Sequence, residues 1–262
     1  MPQWNPESYL AFADHRSRPY AELLQRVPPT VTPHRIADLG CGPGHLSALL
    51  RNRWADATIL GVDSSTEMIH RAESDNADPR IRYALADLTA WTPGESYEMI
   101  ISNATFQWVP NDLAVIARLS EYVTPGGCFA ISVPNNFSAP SHQLLHEISA
   151  RPPYAEHTTG LHNARGRDPQ SLLAQFADAG WEVDAWTTVY QQILPGEDPV
   201  LRWISGTGAR PILQALPEPL RTEFTTEYAA ALRDAYPQRP YGTVLPFERT
   251  FCVALRPQAV AG

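Results

Sequence analysis

The segment Asp38-Leu39-Gly40-Cys41-Gly42-Pro43-Gly44 carries the clearest chemistry in the sequence. It follows a short apolar run and opens a helical pattern. Three alternating glycines allow a tight turn and let a ligand lie against the backbone, and the helix start beyond them offers unpaired N–H groups. The spacing is G-x-G-x-G behind an acid, not the G-x-G-x-x-G of dinucleotide enzymes, because position 45 is His. That spacing disfavours a nicotinamide dehydrogenase. Asp63 closes the next apolar run, where a carboxylate can accept both hydroxyls of a ribose. Asp87, followed by Leu88, closes the third, where an acid can accept an adenine amino group. Asp38 alone would read as a helix cap. Three acids at three successive strand ends read as a nucleotide site.

Such residues need a parallel sheet to bring them to one edge, and the hydrophobic pattern predicts one. Apolar runs at Ile36–Leu39, Ala57–Val62, Ile81–Leu85, Tyr97–Ser102 and Cys128–Val133 read as strands. Between them lie helical faces: Leu46, Leu49 and Leu50; then Met68, Ile69 and Ala72, behind a capping box formed by Ser64 and Glu67. Asn111 is placed to cap a helix carrying Leu113, Ile116, Leu119 and Val123, and Pro125-Gly126-Gly127 reads as a turn. Strictly alternating strands and helices imply an α/β, Rossmann-like, doubly wound sheet, mostly parallel and of seven strands, with ligands beyond the strands' carboxyl ends. Residues 135–168 show no clear period. Asp168 and Pro169 open a helix through Leu172, Leu173 and Phe176, and Trp181–Leu194 looks extended. Leu220, Phe224, Tyr228, Leu232 and Tyr236 form a helical stripe, and Phe247–Leu255 a closing strand. The expected layout is a single domain, 1–262. It has an N-terminal helical lid at 1–30, a ligand-binding core at 35–134, and capping insertions at 135–168 and 195–245.

All 20 basic residues of the 262 are Arg and none is Lys, and the formal charge is -8. This excludes a lysine Schiff base, a P-loop lysine and a kinase-type lysine. Net acidity argues against broad nucleic-acid or anionic-membrane binding. No run approaches the ~20 apolar residues of a membrane span. The first residues lack the basic start and apolar stretch of a secretory signal. Three widely spaced cysteines, Cys41, Cys128 and Cys252, suggest neither a disulfide framework nor a metal site and fit a reducing cytoplasm.

With these motifs the sequence resembles the class I S-adenosylmethionine-dependent methyltransferases over residues 35–134. The resemblance implies S-adenosyl-L-methionine as cofactor. Asp38, Gly40, Gly42 and Gly44 would lie along its methionine part, Asp63 and Ser64 at the ribose, and Asp87 and Leu88 at the adenine. Asn103, at the end of the fourth strand, would face the transfer site. A narrower resemblance, to the family of trans-aconitate 2-methyltransferases, runs along nearly the whole chain. It rests on Trp4-Asn5-Pro6 with Tyr9 and Phe12, Arg16 with Arg18-Pro19, Ser102-Asn103-Ala104 with Trp108-Val109, and Pro140-Ser141-His142. It continues through Trp186 with Tyr190, Trp203, Gly206-Thr207, Arg210-Pro211, and Pro246-Phe247 with Arg249. Ala209 and Ile212 depart from the Leu and Phe common in that family around the Arg-Pro pair. In this setting Arg18 would lie near the cofactor carboxylate, and Tyr9 would cover its methionine end.

The chemistry of a carboxylate acceptor is consistent with these residues. A carboxylate of pKa about 4 is ionised at neutral pH, so no general base is required, and no residue is expected to be strictly catalytic. The protein has to align the reactants and exclude water. A small polycarboxylate needs fixed cations, and Arg offers a planar fork for them. Each buried Arg–carboxylate contact contributes roughly 1.5–3 kcal/mol. Arg210 and Arg249 are the candidates to hold the acid, His142 and Tyr190 to position it, and Trp108 and Tyr190 to wall the pocket. The competing readings are a methyltransferase of a malonyl carrier protein, for which no basic docking face is evident, and a cofactor-binding scaffold without turnover.

Overall fold

A computed structural model describes residues 13–161 and 164–259 of the chain. Tyr9 and the first part of the expected lid lie outside the described residues. In chain order the elements are α1 (Ala13–Arg26), β1 (Arg35–Leu39), α2 (Ser47–Arg53), β2 (Thr58–Asp63), α3 (Thr66–Asp75), β3 (Ile81–Leu85), β4 (Tyr97–Asn103), α4 (Asp112–Ser120), β5 (Val123–Pro134), α5 (Pro140–Ser149), α6 (Ala155–Thr158), α7 (Pro169–Ala177), β6 (Glu182–Leu194), α8 (Pro199–Ser205), α9 (Arg210–Ala215), α10 (Leu220–Ala235), β7 (Gln238–Arg239) and β8 (Gly242–Leu255). The chain divides into two compact units. Among the described residues, the larger comprises 13–133, 167–188 and 250–259, and the smaller comprises 134–161, 164–166 and 189–249.

The larger unit is built on a sheet ordered β3-β2-β1-β4-β5-β8-β6. β1 pairs in parallel with β2 and β4, β2 with β3, and β4 with β5. The chain runs outward from β1 to β3, then returns to β4 on the other side of β1. β1 and β4 therefore flank the point where the winding reverses, where open α/β sheets take their ligands. Ala37 and Leu39 are wholly buried, as are Ile100 and Phe129, and they join Ile116, Leu119, Phe176 and Leu88 in one core. Arg167 grips Asp112 with both arms of its guanidinium, one of them Nε to Oδ2 at 2.6 Å, and Asp112 is almost wholly buried. That pair ties the first residue of α4 to the approach to α7.

Three local expectations need correction. The cap of α3 is Ser65, whose Oγ accepts from Met68 N at 3.3 Å and donates to Glu67. Ser64 is displaced from that role because Asp63 Oδ1 takes the Ser65 amide at 2.9 Å, an Asx turn that uses Ser64 as its middle residue. Residues 125–127 do not form a turn before β5 but lie within it. Gly126 and Gly127 exchange backbone hydrogen bonds with Arg256, and the pairing with β4 shifts between Tyr97 and Met99. The glycines absorb an irregularity in the ladder. Asn111 precedes α4 in a left-handed conformation and does not cap it with its side chain.

In the smaller unit the aperiodic stretch contains two helices, α5 and α6. The helical stripe is real: Phe224, Tyr228, Leu232 and Tyr236 are all buried. α10 lays this face against α5, near Leu145 and Ile148, and Tyr154 meets Phe224 edge-on at 5.1 Å. The two-residue strand β7 pairs antiparallel with the start of β8, giving eight strands where seven were expected.

Candidate functional site

Asp38, the last residue but one of β1, sits between Gly61 of β2 and Ile101 of β4 and is 2% exposed. The chain then turns sharply, with the Gly40 and Cys41 amides both donating to the Val62 carbonyl at 2.7 and 3.1 Å. Gly40 has φ +73°, and a Cβ there would collide with the Thr105 side chain. Gly42 also has positive φ, +56°, but nothing lies within 4 Å of where its Cβ would stand. The Gly42 amide donates to Asp63 Oδ2 at 2.9 Å, so the loop and the end of β2 brace each other. Asp63 Oδ2 accepts from Gly42 N and Oδ1 from Ser65 N, so both oxygens are held by backbone amides. Asp87 Oδ1 accepts from both the amide and the hydroxyl of Thr89, at 2.9 and 2.8 Å. Leu88 buries its side chain in the core, while Ser64 is exposed. Asn103 is buried at the end of β4, opposite Ser132, and Trp108 is half-buried in the following single turn. Arg18 is exposed and ion-paired with Glu22 at 2.7 Å.

Electrostatics single out Asp38. Burial, and then the charge of Asp63, push its carboxyl up to about 7. Its Oδ2 is buried without a hydrogen-bond partner among the described residues. Tyr20 Oη is buried in the same condition. Burial, then the nearby Asp38 and Cys41, hold the Tyr20 phenol well above its ordinary value. Asp63 is also raised by burial, and the amides of Ser65, Gly42 and Ser64 oppose that rise. A carboxyl raised in this way is relieved by a cationic ligand, and orphaned oxygens mark where a ligand's donors would bind. A group carrying a cation, a ribose diol and an adenine therefore fits these residues. Asp38 and Tyr20 could meet the cation, the open face of Gly42 could receive the chain, and Asp63 could take the diol.

Tyr20, Tyr83 and Thr105 are absent from the residues that sequence spacing selects. Tyr83 stands against Gly44, and Thr105 against Gly40. Nothing in the period of α1 or β3 relates these side chains to a loop elsewhere in the chain, so no signal marked them.

The acceptor candidates His142, Tyr190, Arg210 and Arg249 all belong to the smaller unit. Arg249, on β8, is only 4% exposed, and its guanidinium lies 5.7 Å from the centre of the Phe247 ring. Phe247 in turn meets Trp203 edge-on at 5.4 Å. Arg210 is half-buried as the first residue of α9. His142 is buried in the first turn of α5, and its Nε2 faces Gly208, two residues before Arg210. Burial, and then His146, lower the His142 imidazole to about 4, so it is neutral at pH 7. Tyr190 is buried on β6. Among the described residues there is no group of His, Cys, Asp and Glu that could hold a metal ion. No described helix is long and apolar enough to cross a membrane.

A family model described as a methyltransferase domain matches residues 12–185. A curated trans-aconitate 2-methyltransferase of Streptomyces avermitilis is 44% identical, with 97% of each chain covered. Another of that name, from Streptomyces coelicolor, is 42% identical over 98% of this chain and 88% of its own. Among solved structures, the YcgJ protein of Bacillus subtilis is similar in fold, with a TM-score of 0.55 at 15% identity, covering 94% of this chain and all of that one.

Proposed function

Because the chain belongs to the trans-aconitate 2-methyltransferase family, we propose that it methylates one carboxylate of trans-aconitate, or of a closely related small tricarboxylate, with S-adenosyl-L-methionine as donor, releasing the monomethyl ester and S-adenosylhomocysteine. The observation that carries this reading is the 44% identity to a trans-aconitate 2-methyltransferase over 97% of each chain, and Arg249, almost wholly buried beside Phe247, is a cation we assign to the acid. A buried guanidinium favours a planar carboxylate over any neutral acceptor.

When bound, S-adenosylmethionine would supply a sulfonium methyl that a carboxylate oxygen could attack in line, C–O forming as C–S breaks and S-adenosylhomocysteine leaving, with no proton moved. The chain's own residues bind and orient. Asp38 takes the cofactor's ammonium group and is ionised by it, with Tyr20 Oη alongside. Gly40, Gly42 and Gly44 keep the loop low enough for the cofactor to lie on it. Asp63 with Ser64 receives the ribose, the Asp87-Leu88 turn receives the adenine, and Asn103 and Trp108 face the reacting methyl. Arg18 meets the cofactor's carboxylate. Arg210 and Arg249 hold the acid's carboxylates, and His142 and Tyr190 set its orientation. No general base is needed, and among the acceptor candidates His142 is too weakly basic to take a proton at pH 7.

The substrate is thus a small-molecule acid and not a nucleic acid, as the charge of -8 favours. Three free, buried cysteines suit a reducing cytoplasm as the place of work. Initial rates with labelled cofactor test the reading against trans-aconitate, cis-aconitate, isocitrate and a malonyl carrier protein. The expected order places trans-aconitate first. Faster transfer to the carrier protein, or to none of these acids, would overturn it.

A further inference from the structure

The start of α5 is held from outside its own segment. Its cap residue, Ala139, makes no side-chain hydrogen bond. Instead Tyr236 Oη accepts from Ser141 N at 3.0 Å, and Tyr228 Oη donates to the Ser141 carbonyl at 2.6 Å. Both tyrosines are buried along the α10 stripe, Tyr228 completely. Their two bonds fix the backbone of the residue immediately before His142. The imidazole is then confined on three sides. Phe137 meets it edge-on at 4.9 Å, and Ser141 Oγ lies 3.4 Å from Nδ1. Gly208 lies on the third side. A Cβ there would stand 2.8 Å from Nε2 and 3.4 Å from Cδ2, closer to Nε2 than packed carbons come. The backbone of Gly208 is not in the left-handed region, so its own conformation does not demand glycine. The approach of His142 does.

We propose that Ser141 Oγ–H donates to His142 Nδ1 and so fixes the Nε2–H tautomer, which gives the acceptor acid one neutral hydrogen bond, and that Gly208 leaves the room this nitrogen needs. His142 is the group that touches the acid. Ser141, Tyr228, Tyr236 and Gly208 are positioning residues. The inference rests on the reading of the chain as a methyltransferase of small carboxylic acids. It adds the form of recognition: charge from arginine, and direction from one uncharged N–H. A neutral donor orients a carboxylate without the charge-assisted grip that would draw electron density from an attacking oxygen. Burial keeps the ring neutral, and a donor on Nδ1 leaves the proton on Nε2 while the clamp holds the ring's orientation.

The test combines steady-state kinetics on trans-aconitate at saturating cofactor with nitrogen-15 spectra of the histidine rings. His142→Gln, which keeps a neutral N–H at similar reach, is expected to stay within about fivefold of wild type in kcat/KM, whereas His142→Leu raises KM by roughly twentyfold with little change in kcat. Ser141→Ala is expected to raise KM several-fold and to turn the single Nε2–H signature of His142 into a mixture of tautomers. Gly208→Ala should raise KM about tenfold in the wild-type background but less than about twofold in His142→Ala, because its cost is the displaced imidazole. Unchanged calorimetric binding of S-adenosylhomocysteine shows that each variant is folded. Equal activity of the Gln and Leu variants would overturn the inference. So would an Nδ1–H tautomer in the wild type, or a Gly208→Ala cost that is the same in both backgrounds. Absence of turnover with every small acid overturns the substrate reading itself, whereas turnover combined with an Nδ1–H tautomer overturns the tautomer assignment alone.

Discussion

Burial and the charge of Asp63 hold the Asp38 carboxyl up at about 7, while the ligand it serves needs it ionised. The folded chain thus retains a proton, between the ordinary carboxylate pKa of about 4 and 7, that the unfolded chain has lost. Stability contributed by this group is therefore lost as pH rises through that window. Thermal unfolding of the ligand-free protein should show it: the stability of wild type relative to Asp38→Asn falls from pH 5 to pH 8. A difference that stays constant with pH would show that Asp38 is already ionised. Asp38→Asn should also weaken cofactor binding by roughly ten- to hundredfold at pH 8, through the lost charge-assisted contact of about 1.5–3 kcal/mol. On the acceptor side, Arg210→Lys keeps the charge but loses the planar fork. It should raise KM for the acid about tenfold and leave cofactor affinity, measured by calorimetry, unchanged. Wild-type kinetics in that variant would mean Arg210 makes no two-point contact.

At the level of elements, the glycine loop and the ends of β1 and β2 act as one brace through Gly42 N and Asp63 Oδ2. Gly42→Ala puts a methyl into open space at a positive φ, so it should cost only about 1–2 kcal/mol of stability. Its larger effect should be on ligand affinity, because the methyl occupies the face on which the cofactor lies. Chemical denaturation set beside a binding isotherm separates the two. A stability loss without an affinity loss would place the cofactor elsewhere. Arg167→Leu strands the buried Asp112 carboxylate and should cost about 3–5 kcal/mol in the same denaturation experiment. A loss under about 1 kcal/mol would mean that water replaces the guanidinium. The elements themselves were largely legible. Apolar runs followed by Gly40, Asp63 and Asp87 marked the strand ends, because a parallel sheet buried on both faces writes itself as short hydrophobic runs. The cap at Ser65 was missed because its choice over Ser64 depends on an Asx turn made by the preceding residue. The glycine pair at 126–127 was missed because a bulge and a turn use the same residues. Tyr20 and Gly208 were invisible for a different reason. Periodicity reports which face of an element is buried, not which distant side chain meets it.

Over the whole molecule, the sequence likeness spans both units, at 44% identity across 97% of the chain. An overall charge of -8 does not oppose an anionic substrate, because binding depends on local cations and every one of the 20 is an arginine. The most direct measurement is mass spectrometry of the product formed from trans-aconitate and S-adenosylmethionine bearing a trideuterated methyl group. The expected result is a single monomethyl ester of trans-aconitate that carries the intact trideuteromethyl group, formed in step with S-adenosylhomocysteine. S-adenosylhomocysteine formed without any labelled ester, or no reaction at all, would contradict it.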